Sequence, residues 1–474
     1  MVDGQQWTCS VEELAKAVSG QVTSKPVPSF SMVGTDTRQS LNGKLFIPLK
    51  GENFDAHDFV GKAIEQGAAC VLVQGWRPEW DALKARVSFV QVADTLRALQ
   101  DFGRYWRKKH NYKVIAITGS NGKTSTKEFT YAILKRHFKV HASKGSFNNH
   151  WGVPLSILAA HPSDTHLILE MGMNHAGEIR RLCQIAEPNI AIVTTVGRAH
   201  IGELGSQENV AKAKEEIYDS TPSAVHVFNM DNEWTMRMQA RSDSKQIQLS
   251  GFKSTADVFF RAQRMNWDGL DLVGQIQGVK GQVWVPILGR HNVSNLMAAA
   301  GLALAAGVKP EEIWKDLGQI RETAWGRNQM LPLKNGARVL FDAYNANPDS
   351  VGALTKNLYE MDITGRKFLI IGDMRELGSF SDQAHEEIGE KLAAIGVEGI
   401  WFVGSNSKAF WRGVGKVKMP AHHFTSEKVD KKISQEFLAL LKEGDLVAVK
   451  GSRGMQLEYA IEQWPLTTPL GKKD

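Results

Sequence analysis

Val114-Ile-Ala-Ile-Thr-Gly-Ser-Asn-Gly-Lys-Thr-Ser-Thr126 is the stretch on which the fold turns. The four apolar residues Val114 to Ile117 predict a short buried strand, and Lys123 onward predicts the first turn of a helix running toward Phe138. Between them Gly119, Ser120, Asn121 and Gly122 make a tight turn. A strand, a glycine turn and a helix in this order aim backbone N–H groups and a helix N-terminus at one spot, which suits a phosphate. Lys123 can then reach the outer phosphates of a nucleotide, and the Thr124 hydroxyl can bind Mg²⁺. The bland alternative is an ordinary strand-to-helix turn with a chance Gly-Lys-Thr.

The general phosphate-loop pattern G-x-x-x-x-G-K-[ST] requires a glycine where this chain has Ile117; a glycine stands at Gly119 instead. Thr118-Gly-Ser-Asn-Gly-Lys-Thr124 resembles the shortened loop of the Mur ligases and folylpolyglutamate synthases.

At 474 residues the chain has room for about two to four domains with ample core. A hydrophobic share of 42% and a charged share of 23% are ordinary for a soluble protein. The net charge of +6 is spread without a long basic run, which argues against nucleic acid but suits anionic substrates such as nucleotides. Cys9, Cys70 and Cys183 have neither zinc spacing nor the even count of a disulfide framework, so a reducing compartment is expected. Met1-Val-Asp-Gly-Gln-Gln6 lacks the basic and apolar regions of a signal peptide, and the apolar run Leu296–Val308 is too short to span a bilayer. The expectation is a cytoplasmic enzyme with no membrane insertion.

The predicted fold class is α/β in three units: a small α/β amino-terminal unit over 1–108, a central phosphate-loop unit with a parallel sheet and added β-hairpins over 109–325, and a Rossmann-like unit over 326–474. In the first, Val11–Val18 and Phe59–Gln66 predict helices, Lys44–Pro48 and Cys70–Val73 strands, and Leu96–Lys109 a connector helix. In the second, strands are expected at Leu167–Leu169, Ile190–Thr194 and Ala224–Phe228. Val258–Leu288 then alternates, with hairpin turns expected at Asp268-Gly269 and Lys280-Gly281, before a helix over Asn292–Ala306. In the third, Val339–Phe341, Phe368–Ile371, Ile400–Val403 and Leu446–Val449 predict strands, and Asp382–Ala394 and Lys428–Leu441 helices. No G-x-G-x-x-G follows its first strand, so a dinucleotide is not expected there.

Leu167-Ile-Leu-Glu170 puts a carboxylate at the carboxyl end of a buried strand, where ligands gather in open α/β sheets. Glu170 beside a phosphate loop is a natural Mg²⁺ ligand, because Mg²⁺ prefers hard oxygens and bridges to substrate phosphates; alternatively it is a strand-end acid facing solvent. Val193-Thr-Thr-Val-Gly-Arg-Ala-His200 leaves the next strand at the same edge, making His200 a second metal-ligand candidate against a structural histidine. Asn148 and Asn149, in Ser143–Pro154, can hold a polar substrate near the γ-phosphate or can form a turn with self-bonded side chains. Lys214 lies on a charged helix with Lys212, and spacing alone does not select it.

Taken in order, these stretches together with His291–Asn295, Gly326-Arg327, Phe341–Pro348, Gly372–Gly378 and Lys450–Arg453 resemble the Mur ligase family over nearly the whole chain. The resemblance implies a monomer that forms an amide with ATP and Mg²⁺. Of the family's reactions it points to the joining of D-alanyl-D-alanine to UDP-N-acetylmuramoyl-tripeptide through an acyl phosphate, on the route to peptidoglycan. It further implies that Gly119 to Ser125, Asn295, Arg327 and Asp342 hold ATP, with Lys123, Glu170, His200 and Lys214 catalytic. Lys214 falls where such ligases carry a lysine carbamate, which would join Thr124, Glu170 and His200 about Mg²⁺. Thr35, Asp36, Thr37, Arg38, Asp55 and His57 would bind the uridine diphosphate end. Asn148, Asn149, Tyr344, Asn345, Lys450, Ser452 and Arg453 would complete the substrate sites. Ala56 stands where members often have glycine, and Asn328 where they often have a hydrophobic residue. Two other readings compete: a folylpolyglutamate synthase of the same mechanism, and a non-catalytic nucleotide switch. The chain contains no Asn-Lys pair of the kind that GTP-reading switches use in Asn-Lys-x-Asp.

Overall fold

A computed structural model describes residues 7–51, 54–321 and 325–470. The reading of Met1–Gln6 lies outside the described residues. Three large sheets organise the described residues, beside a two-stranded pair of Thr8–Ser10 with Ser29–Ser31. The first has five strands in the order Gln21–Ser24, Ser88–Val92, Cys70–Gln74, Leu45–Phe46, Val33–Gly34. The third has six, in the order Gln329–Pro332, Arg338–Phe341, Leu446–Lys450, Lys367–Gly372, Gly399–Val403, His422–Ser426. All of its pairs are parallel except the first.

The middle sheet positions the site. Its nine strands run Val279–Val285, Gly269–Ile276, Val258–Asn266, Gln246–Ser250, Val225–Asn229, Ile190–Val193, Lys113–Thr118, His166–Glu170, Val140–Ala142. Both faces of its parallel part are covered, which is why those strands read as continuous apolar runs rather than alternating ones. Val114, Ala116, Leu167 and Leu169 enter one core; Ile115, Ile117 and Ile168 enter the other, under the helix Asn292–Ala306. Thr118 pairs with Val193, and Ile117 with Glu170, so three neighbouring strands end level. Whatever follows each strand is delivered to the same edge.

The helix Thr95–His110 does more than connect. Asp94 caps its start, and Asn111 ends it in the left-handed region at φ 51°. Leu99, Phe102 and Trp106 lie on one face and share a single core with Trp7 and Phe30 of the first unit and Val153 and Ile157 of the second. Trp7 Nε1 donates to Leu158 O at 3.0 Å, and Arg107 donates to Ala186 O and Glu187 O. The first two units are therefore joined by core packing. Cys9, Cys70 and Cys183 are buried and free, and among the described residues no helix is long and apolar enough to cross a membrane.

Two expectations are corrected. The second hairpin turn is at Gln277-Gly278, where both residues have positive φ, and not at Lys280-Gly281. Gly281 is inside the strand Val279–Val285, paired with Gly274. It is glycine because the indole of Trp314 lies over it: a Cβ there would stand 2.4 Å from the ring. The edge strands Gln329–Pro332 and His422–Ser426 also add to the four strands read from sequence. Neither has a continuous buried apolar run, so neither carries a burial signal. Gly281→Ala is expected to lower stability by about 1–3 kcal/mol through overpacking, measured as the urea denaturation midpoint; an unchanged midpoint would mean that Trp314 is free to give way.

Candidate active site

The phosphate loop is shaped by its neighbours. Gly119 has φ 148° and Gly122 φ 83°, and a Cβ on Gly119 would stand 1.9 Å from Thr194 Oγ1. Ser120 N donates to Thr195 O at 2.8 Å, and Thr194 Oγ1 donates to Asn121 O at 2.6 Å. A Cβ on Gly122 would meet Asn295 Oδ1 at 2.2 Å, and Asn295 itself donates to Asn292 Oδ1. Asn295 thus packs beneath the loop. The helix begins at Lys123, as the sequence predicts, and ends at Leu134, short of Phe138. Lys123 Nζ donates to Gly119 O at 2.8 Å. Burial holds its pKa below the usual lysine value, with Glu170 opposing that shift and Arg327 adding to it.

Glu170, 2% exposed, accepts from both sides: Thr124 Oγ1 at 2.9 Å on one oxygen and Asn148 Nδ2 at 2.9 Å on the other. Asn149 behaves differently from Asn148. Its Oδ1 accepts from Gly152 N at 2.9 Å, at the start of the helix Gly152–Leu158. Of the two asparagines, one reaches the site and the other makes the self-bonded turn. Sequence reasoning missed Lys127, which is fully buried and donates to Ser143 O at 2.6 Å and Gly145 O at 3.1 Å. It ties the loop that carries Asn148 to the phosphate-loop helix. A lysine after Gly-Lys-Thr-Ser-Thr gives no sequence sign of this.

His200 has φ 62°, and its Nδ1 lies 2.9 Å from Glu376 Oε2, close in distance though without N–H alignment. Glu376 also sits in the left-handed region, at φ 64°, and belongs to the third unit. It is a second cleft carboxylate to which sequence reasoning gave no role. The contact with His200 holds its pKa below the usual glutamate value. Lys214 is 1% exposed on the helix Gln207–Asp219. Burial, and then the charge of Lys123, push its pKa well below normal. Its neighbour Lys212 is exposed and paired with Glu208.

From the third unit, Arg327 stacks on Tyr344 at 4.3 Å, and its Nε is buried without a partner. Asp342 is held from below: Lys450 Nζ donates to its Oδ2 at 2.6 Å and to Asn345 O at 3.1 Å. Lys450 is 1% exposed and points under the Asp342–Asn345 turn rather than into the cleft. Ser452 Oγ accepts from Arg375 N, and Arg453 pairs with Glu458 and stacks on Trp325. Asn328 takes a left-handed φ of 48° and bridges His291 and Asp342, which accounts for a polar residue there.

Six expected residues lie away from this cleft, in the first unit. Arg38 chelates Asp36 at the surface beside Thr35 and Thr37. His57 is buried, with Nδ1 2.6 Å from Asp55 Oδ1 and Nε2 accepting from Gln74 N. Ala56 opens a short 3₁₀ turn without positive φ, so glycine is not required there.

Lys123, Thr124, Asn148, Glu170, His200, Arg327, Tyr344, Asn345 and Glu376 line one cleft with a cavity volume of about 170 Å³. Lys123 and Arg327 face a carboxylate and a hydroxyl across it, an arrangement suited to a polyanion carrying a hard cation. Among the described residues no group of three or more His, Cys, Asp or Glu converges as a metal cage. The Glu170–Thr124 oxygen pair fits Mg²⁺ of the kind that takes its other ligands from phosphate and water. The buried, unpartnered Arg327 Nε is a donor waiting for an acceptor.

Three family models match in order: "Mur ligase family, catalytic domain" over 29–107, "Mur ligase middle domain" over 117–303 and "Mur ligase, glutamate ligase domain" over 326–453. The chain is 33% identical to the UDP-N-acetylmuramoyl-tripeptide–D-alanyl-D-alanine ligase of Bacillus subtilis (strain 168), over 96% of this chain and 97% of that one. A crystal structure of MurF from Acinetobacter baumannii superposes with a TM-score of 0.85 at 30% identity, covering 97% and 99%. MurF from Thermotoga maritima in complex with ADP superposes at 0.80 and 25% identity, covering 91% and 96%. Lys123→Ala, which removes a charge from the cleft and no core volume, is expected to keep the fold by circular dichroism. It should lose about a hundredfold or more in nucleotide-dependent turnover; near-normal turnover would remove the phosphate-loop role.

Proposed function

The chain belongs to the Mur ligase family, and from that premise we propose that it is the ATP-dependent ligase that joins D-alanyl-D-alanine to UDP-N-acetylmuramoyl-tripeptide. The observation that carries this reading is the meeting, in one cleft, of the Gly119–Ser125 loop with Glu170 from the middle unit and Arg327 from the third. Relatives of that name match nearly end to end. In this reading the first unit, 1–108, takes the UDP end through Thr35–Arg38, Asp55 and His57; 109–325 takes the phosphates of ATP; and 326–474 closes over the nucleotide with Arg327 and Asp342. The enzyme works as a cytoplasmic monomer.

The reaction divides into two steps. The tripeptide's terminal carboxylate attacks the γ-phosphorus, ADP leaves, and an acyl phosphate forms. The dipeptide amine then attacks the acyl carbon, and phosphate leaves as the amide forms. Lys123 and Arg327 spread the charge that builds on phosphoryl oxygens, and Asn148 holds Glu170 so that its other oxygen stays turned to Thr124. Mg²⁺, when bound by Thr124, Glu170 and His200, supplies further charge neutralisation at the phosphates. For this electrostatic role Lys123 must be an ammonium. Its lowered pKa therefore predicts loss of activity as pH rises through that value.

Lys214 is assigned a different state. It is buried, the charge of Lys123 acts against its own, and it makes no ion pair with a described residue. Burial favours the neutral amine, which alone can take up CO₂; the resulting carbamate turns a repelled cation into an oxygen ligand for a hard metal. His200, Glu170 and that carbamate would then surround one position.

The deciding experiment incubates the enzyme with ATP, Mg²⁺ and D-alanyl-D-alanine against the tripeptides ending in lysine and in diaminopimelate, read by mass spectrometry. One of them should gain the dipeptide. Addition of glutamate to a folate instead would favour the folylpolyglutamate reading, and absence of phosphate release with every substrate would favour a switch. Lys214→Arg keeps the charge and cannot form the same carbamate, so it is expected to be nearly inactive, whereas substitution of Lys212 matters little. In CO₂-depleted buffer, wild-type activity should fall as pH drops through the amine's pKa and recover with bicarbonate. Full activity of Lys214→Arg would remove the carbamate.

A further inference from the structure

The loop Thr194–His200 is gripped from two sides. Its inner side holds the phosphate loop: Thr195 O accepts from Ser120 N at 2.8 Å, Gly197 N donates to Ser120 Oγ at 2.9 Å, and Thr194 Oγ1 donates to Asn121 O at 2.6 Å. Its outer side is held by the third unit. Asp349 Oδ2 accepts from Arg198 N at 2.7 Å, and Asp349 Oδ1 lies 3.5 Å from Arg198 Nε. Glu387 Oε2 accepts from Arg198 Nη1 at 3.1 Å. A Cβ on Gly197 would stand 2.2 Å from Asp349 Oδ2, so the close approach depends on glycine.

Asp349 lies in the first turn of the helix Pro348–Glu360, where an acid is ordinarily explained by the helix dipole. Here the cap is made by others. Asn347 and Ser350 exchange side-chain and backbone hydrogen bonds reciprocally, and Asn347 Nδ2 also donates to Asn121 Oδ1 at 2.8 Å. Asp349 is thus free to reach across the boundary to Arg198. The backbone donor it receives comes from the residue next to Gly197, whose own N–H holds Ser120.

We propose that Asp349 is a positioning residue of the ligation reaction. By holding the backbone at Arg198, it makes the docking of the third unit and the placing of Ser120 and Asn121 a single event. The phosphate loop is then in its working position only when the unit that carries Arg327 is in place. This rests on the ligase reading for its activity measurement alone.

The test compares wild type, Asp349→Asn and Arg198→Ala, all as full chains. Asp349→Asn should keep the wild-type thermal midpoint, because the cap is untouched. Its complex with a non-hydrolysable ATP analogue and Mg²⁺ should have a larger radius of gyration by solution scattering. Its kcat/KM for ATP should fall about tenfold or more, the scale of a lost charge-assisted hydrogen bond. Arg198→Ala keeps the backbone N–H that Asp349 accepts, so it should cost less than Asp349→Asn. A scattering profile and turnover of Asp349→Asn equal to wild type would overturn the proposal while leaving the ligase reading intact. A loss of activity matched by a fall in midpoint would reduce Asp349 to a stabilising residue and overturn it as well. Should the wild type fail to ligate the tripeptide, the ligase reading falls, and the scattering comparison still decides Asp349.

Discussion

The absence of a Cβ at Gly119 is the constraint from which the site follows. The backbone there passes so near Thr194 that any side chain would overlap its hydroxyl. That contact fixes the loop after one strand against the loop after its neighbour. Because Val193 pairs with Thr118 and Glu170 with Ile117, the third strand delivers its carboxylate at the same height. Glu170 can then meet Thr124 without any long excursion of chain. The register of a parallel sheet converts one steric allowance into an active-site geometry.

Three buried lysines in the structure show how differently an ammonium can be accommodated. Lys450 pairs with Asp342 and donates to the carbonyl of Asn345. Lys127 uses two carbonyls and the neighbouring Glu128. Removing one partner from such a group leaves a desolvated charge, so both are held in place by the cost of undoing them. Lys214 has no such partner among the described residues, and the charge of Lys123 acts against its own. An unpaired buried ammonium is the least stable of the three arrangements, and loss of its proton is the cheapest relief. The same burial therefore makes two lysines structural and leaves the third chemically available.

The parts legible in the sequence are those governed by local pattern. Val114–Ile117, the glycine turn and the start of the helix at Lys123 are set by residues adjacent in the chain, and Glu170 is placed by the strand that ends in it. The three-sheet α/β architecture follows from apolar runs separated by helical periods. Features set by distant contacts were not legible. Gly281 looks like a turn residue until Trp314 is seen above it. Lys450 looks like a substrate contact until Asp342 is found over its ammonium. Asn148 and Asn149 are identical in composition and adjacent, and only the fold distinguishes the one that reaches Glu170. Lys214 and the residues of the first unit are selected by resemblance alone, and Glu376, within the quoted stretch Gly372–Gly378, is given no role because its partner, His200, is in another unit.

The boundary between the middle and third units brings together features that a purely structural interface would avoid. His200 and Glu376 are both non-glycine residues in the left-handed region, and they face each other across it. Such conformations cost about 1–3 kcal/mol each and persist where surrounding contacts over-determine them. Beside them Gly202 lets two backbones touch: its N–H donates to Glu376 O, and a Cβ would stand 2.6 Å from Gly378 N. Polar contacts of this kind exchange readily with water, unlike the aromatic core that joins the first two units. Apolar contacts cross the boundary as well, because Leu288 lies in the core of the third unit and Ile201, Met265 and Trp267 pack against it; a limited apolar seam beside polar and strained contacts is the arrangement expected if the third unit must leave and return as nucleotide exchanges.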